Sequence, residues 1–175
     1  MTRYRDALPQ LSGELFLTDG GLETELIFRE GFDLPLFAAI DLFRSPDGEA
    51  ALRRYFLKYA RIADARGTGF ILESATWRSS PDWGDELGYA RGELDGLNEK
   101  AIGLLAEIRE DLPAAGPPVV ISGCVGPRGD GYDPAHRMSA EEAEAYHSTQ
   151  IGLFAETDAD QVSAITMNYV EEALG

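Results

Sequence analysis

The chain has 175 residues, 44% apolar and 26% charged, ordinary proportions for one globular domain with a real core. Its 31 acidic and 15 basic residues leave a net charge of −16, and no basic run tracks along a helix. Such a chain repels phosphate backbones, which argues against a nucleic-acid partner. The one cysteine, Cys124, excludes an intrachain disulfide and fits a reducing cytoplasm. The polar start, Met1-Thr-Arg-Tyr-Arg-Asp6, predicts no signal peptide, and no run of about 18 apolar residues predicts a membrane span.

Short apolar runs bounded by turn residues predict buried parallel strands. The first covers residues 14–18 and ends at Asp19-Gly20-Gly21. A short helix over 23–29 and an irregular excursion around Asp33-Leu-Pro35 follow. Ser45-Pro46 then pairs an N-cap with proline at the first helical position. Leu52, Tyr55, Phe56, Tyr59, Ile62 and Ala63 repeat at three and four residues until Gly67, which defines one apolar helical face. The second strand covers 69–73. A loop carrying Trp77 and Trp83 leads to a helix built on Leu94, Leu97, Ala101, Leu104, Leu105, Ile108 and Leu112, closed by Pro113. The third strand covers 118–122 and ends at Gly123. Ser139 and Glu142 form a capping box for a helix with Ala143, Tyr146, Ile151 and Phe154 on its apolar side. The fourth strand covers 161–166, and Val170 to Gly175 reads as the first turn of one more helix.

Alternating strands and helices imply a parallel sheet with right-handed crossovers, either doubly wound or a (β/α)₈ barrel. Strands start roughly 45 to 55 residues apart, so eight units need on the order of 350 residues, near the upper part of the barrel range. The expectation is an α/β fold of the (β/α)₈ TIM-barrel type with about four of eight units present. Residues 1–175 are read as the N-terminal half of one barrel domain whose C-terminal half is absent.

Ligands bind at the carboxyl ends of strands in such folds. There, Asp19 can hold an ammonium group beside Gly20 and Gly21, or it can cap the helix behind it. The glycine spacing matches no dinucleotide or phosphate loop. After strand two come Glu73, Ser74, Ala75, Thr76, Trp77 and Arg78. Trp77 and Trp83 can wall a pocket for a small cation or pack the loop against the rim. Cys124 follows strand three as either a ligand, a nucleophile or a small buried residue. His136 and His147 are eleven residues apart, which is not metal-ligand spacing.

Four stretches, in order, resemble the homocysteine S-methyltransferase family, which includes betaine- and S-methylmethionine-dependent enzymes. They are Leu17-Thr-Asp-Gly-Gly-Leu-Glu-Thr-Glu-Leu26, Thr76-Trp77, Gly126-Pro127 and Glu171-Glu172-Ala173. The resemblance implies a (β/α)₈ barrel in which zinc favours the thiolate of homocysteine, which then attacks the methyl donor. It implies that Asp19, Gly20, Gly21, Thr76 and Trp77 bind substrate, with Asp19 facing the amino group of homocysteine. The cysteine segments that hold the family's zinc, Gly-x-Asn-Cys and Gly-Gly-Cys-Cys, do not occur here, and Cys124 matches neither. No metal ligand and no certain catalytic residue is therefore assigned to this chain. The family commonly has a glutamate just after strand four, where this sequence has Ile165 followed by Thr166.

The leading expectation is a cytoplasmic methyltransferase of methionine biosynthesis, inactive as this fragment. It acts on a homocysteine-like thiol and a methyl donor, with self-association through bare sheet edges. The rival from another class is a non-catalytic α/β module that binds a small ligand or a partner. An aldolase would want a strand-end lysine, whereas Lys58 and Lys100 both fall on predicted helices.

Overall fold

Four parallel strands join in the order β1-β2-β3-β4. They are β1 (Phe16–Thr18), β2 (Gly69–Glu73), β3 (Val119–Val125) and β4 (Gln161–Ala164). The computed structural model describes residues 2–133 and 137–175. Each strand pairs with its predecessor, so β1 sits at an edge, as in a TIM-type barrel and unlike a doubly wound sheet.

The helices are α1 (Leu22–Phe28), α2 (Pro46–Arg66), α3 (Pro81–Leu87), α4 (Arg91–Asp111), α5 (Ala140–Ala155) and α6 (Val170–Leu174). Local chemistry sets their starts. The Ser45 hydroxyl accepts from Gly48 N–H at 3.0 Å at the head of α2. Ser139 and Glu142 close the expected capping box on α5. Lys58 lies on α2 and Lys100 on α4.

Phe70, Leu72 and Ile121 carry the sheet's contribution to the core, among Tyr55 and Phe56 of α2, Leu105 and Ile108 of α4 and Phe154 of α5. Each such large side chain contributes roughly 1.5–3 kcal/mol by leaving water. On the opposite face Ile71 pairs with Val120, but toward the carboxyl ends it turns polar where barrels usually stack branched apolar residues. Glu73 lies beside Ser122, Ser122 beside Gln161, and Cys124 beside Ser163 in the pairing register.

Several elements depart from the sequence reading. β3 runs on through Gly123, Cys124 and Val125, because these residues pair with Val162, Ser163 and Ala164 instead of turning. β4 stops at Ala164, since Thr166 takes a left-handed φ of 62° that no strand tolerates. Pro81 to Leu87, read as loop, is helical with proline in the first turn, and it carries Trp83. On α5 the buried residues are Ala143, His147, Gln150 and Phe154, while Ile151 is exposed. An apolar count misjudged that face because two polar side chains on it are cross-links. Gln150 donates to the Thr76 carbonyl at 3.2 Å, and His147 Nε2 meets Glu172 of α6 at 3.1 Å. His136 lies outside the described residues.

One carboxylate gathers the opposite end of the sheet. Asp160 Oδ1 accepts from the backbone N–H of Arg3 and Tyr4, and Oδ2 accepts from Arg109 and from Ile121 N–H. Among the described residues no helix is long and apolar enough to cross a membrane.

Candidate functional site

The carboxyl ends of the strands open into one cleft of about 480 Å³. The turn after β1 supplies Asp19, Gly20 and Gly21, with Gly21 in the left-handed region at φ 65° to start α1. Glu23 follows on α1. β2 and its loop add Glu73, Ser74 and Trp77, β3 adds Cys124, and Ile165 and Thr166 close the far edge. Phe37, from a 3-10 turn over Pro35–Phe37, and Tyr132, from the segment after β3, also line it.

Of the residues singled out in the sequence, Asp19, Gly20, Gly21 and Trp77 line this cleft. Thr76 stands behind its wall, fully buried. Its hydroxyl donates to the Cys124 carbonyl at 2.7 Å and lies 2.6 Å from the Ser74 hydroxyl, which accepts from Cys124 N–H at 2.9 Å. The three residues knit the end of β2 to β3. Gly126 comes against Trp77 so closely that a Cβ would lie 2.3 Å from the Trp77 carbonyl oxygen. Trp77 in turn ties the β2 loop to the segment after β4, since its indole N–H donates to the Thr166 hydroxyl at 2.9 Å.

The two tryptophans do not share a vacant cation pocket. Arg78 supplies the cation itself, with its guanidinium carbon 4.8 Å from the Trp77 ring centre and 4.2 Å from that of Trp83. Trp83 is buried on α3 and donates to the Pro127 carbonyl at 3.1 Å. The packing alternative holds for Trp83, and Trp77 alone faces the cleft.

The cleft is acidic. Burial pushes the carboxyls of Asp19, Glu23 and Glu73 up, and the charge on Asp19 raises the other two further. The Tyr55 hydroxyl donates to the Gly20 carbonyl at 3.0 Å, and its phenol is pushed up by burial and by Asp19 beside it. Cys124 is buried, and burial followed by the fields of Glu73, Glu23 and Asp19 pushes its thiol well above the usual range. A thiol so held stays protonated, which suits neither a nucleophile nor a metal ligand.

Zinc sites need about three converging protein ligands, preferably sulfur or nitrogen. Among the described residues no group of three or more His, Cys, Asp or Glu side chains is arranged to hold a metal ion. Cys124 brings a protonated sulfur, and His147 is engaged with Glu172 away from the cleft. The donor set of these residues does not fit zinc.

Sequence reasoning missed Phe37 and Tyr132 as cleft residues. Phe37 arrives through left-handed backbone at Leu36 and Phe37, with φ of 51° and 60°, which no glycine announces. Glu73 was legible as a strand-end carboxylate, but nothing in the sequence showed that it shares a cleft with Asp19.

The sheet order and the cleft at the strand ends define a barrel-type α/β protein with an open cleft at its carboxyl rim. Residues 16–175 match the family model for homocysteine S-methyltransferase, and the chain belongs to that family. The fold is similar to crystal structures of the homocysteine methyltransferase MmuM from Escherichia coli. For the metallated form the TM-score is 0.74 at 24% identity, covering 94% of this chain and 59% of that one. For the oxidized form the TM-score is 0.74 at 24% identity, covering 95% and 57%. The chain thus spans less than two thirds of the length of these structures. No curated protein sequence matches it.

Proposed function

We propose that the chain forms the homocysteine-binding half of a homocysteine S-methyltransferase barrel. In this reading it supplies four of eight strand–helix units, and the remaining units come from sequence outside these residues. The whole protein transfers a methyl group from a donor such as S-methylmethionine or betaine to the thiol of homocysteine. A sulfur–carbon bond forms, the donor's bond to the methyl carbon breaks, and the thiol proton is lost. Zinc, expected for the whole enzyme, draws no ligands from the residues described here, so the chain's own part is to bind and orient the amino-acid thiol.

The observation that carries this reading is the convergence of Asp19, Gly20, Gly21 and Trp77 on one cleft within the span that matches the family. Asp19 offers a half-buried carboxylate to the substrate's ammonium group. Gly20 and Gly21 leave room for close backbone approach. Trp77 gives an apolar wall. Thr76 acts from behind, holding the loop that presents Trp77.

The test is Asp19→Ala in the complete protein. One charge-assisted hydrogen bond is worth about 1.5–3 kcal/mol, so homocysteine affinity should fall by roughly one to two orders of magnitude. Unchanged affinity would count against the assignment.

A further inference from the structure

Glu73 ends β2 with its carboxylate in the cleft and only one oxygen engaged. Ser163 of β4 donates to Oε1 at 2.8 Å. The Ser122 hydroxyl lies 2.7 Å from that of Ser163 and is also within hydrogen-bonding reach of the Glu73 carboxyl. The Gln161 side-chain amide donates to Ser122 at 3.3 Å and to Ser163 at 3.2 Å. Gln10 donates to the Gln161 side-chain oxygen, which fixes the amide's orientation. The hydroxyls of Ser163 and Ser122, backed by the Gln161 amide, thus gather around the Glu73 carboxyl.

The second oxygen is different. Glu73 Oε2 is buried and has no hydrogen-bond partner among the described residues. A carboxylate oxygen taken from water without a donor is costly, and a ligand donor relieves that cost. Glu73 also lies within the field of Asp19 in the same cleft. Two carboxylates around one space are matched by a cation with several protons to give. Ile165, beyond β4 on the far edge, brings no charge.

We propose that Glu73 is a second substrate-binding carboxylate, which with Asp19 clamps the ammonium group of the amino-acid thiol. Ser163, Ser122 and Gln161 are positioning residues that aim it. This inference rests on the homocysteine reading above and adds the residue that selects an amino acid over a plain thiol.

The experiment is calorimetric titration of the complete protein with L-homocysteine and with 4-mercaptobutanoate, which keeps the thiol and carboxylate but lacks the amine. Glu73→Gln preserves shape and the acceptor for Ser163. The wild type should prefer homocysteine, and Glu73→Gln should lose about tenfold in homocysteine affinity while binding 4-mercaptobutanoate as before. Ser163→Ala, which keeps the charge but loosens its aim, should show a smaller loss in the same direction. If Glu73→Gln binds both thiols as the wild type does, or loses both equally, the role of Glu73 is overturned while the homocysteine reading survives. If the wild type binds neither thiol, the homocysteine reading fails and this inference falls with it.

Discussion

Gly126, just beyond β3, packs against the Trp77 backbone so tightly that an added Cβ would sit 2.3 Å from the Trp77 carbonyl oxygen and 2.6 Å from Cδ1 of its ring. The backbone around Trp77 has little room to give, since Trp77 is bonded to Thr166 and Thr76 to Cys124. We therefore expect Gly126→Ala to cost about 1–3 kcal/mol in urea unfolding, as overpacking does. The same variant should weaken homocysteine binding by displacing Trp77. Unaltered stability and affinity would show that the loop yields freely.

At the other end of the sheet, Asp160 and Arg109 form an ion pair at 2.7 Å with side chains 0% and 2% exposed. Removing one partner of such a pair leaves a buried charge uncompensated, at about 3–5 kcal/mol. Asp160→Ala also strips acceptors from the N–H groups of Arg3, Tyr4 and Ile121. Chemical denaturation should place its loss at the top of that range or above it. A loss below about 1 kcal/mol would mean that the amino-terminal segment and α4 are not tied together through this residue.

The acidic cleft has a pH signature. Burial raises the folded-state pKa of Glu73, so the folded protein holds that proton more tightly than the unfolded chain. Its contribution to stability is complete below the ordinary carboxylate range and is lost as pH rises through the raised value. Glu73→Gln removes this titration. The variant should be more stable than the wild type at neutral pH, and the difference should shrink as pH falls through the raised value and be gone below the ordinary carboxylate range. Thermal unfolding across acidic to neutral pH checks this, and a difference independent of pH would contradict the assigned burial of the charge.

Much of the fold was legible because local chemistry and global order agree. Ser45-Pro46, the Ser139–Glu142 capping box and the bounds of β2 all stand where the sequence put them. Asp19, Gly20, Gly21 and Trp77 were legible as rim residues because each follows a strand. What stayed hidden depends on tertiary pairing. Gly123 and Cys124 look like a turn until β4 pairs beside them. The partner of the two tryptophans is Arg78, a neighbour in sequence whose placement no spacing rule gives. His147 and Gln150 are polar by type yet buried, because their partners lie on other elements.

The central claim is that these residues hold the substrate cleft but not the metal. Zinc content and methyl transfer, measured together on the purified 175-residue chain after loose metal has been dialysed away, test it most directly. Cys124 is buried with its thiol held protonated, and the described acidic residues form no ligand group. The predicted result is far less than one zinc per chain, with transfer to homocysteine at background. One tightly held zinc per monomer, or turnover above background, would contradict the account.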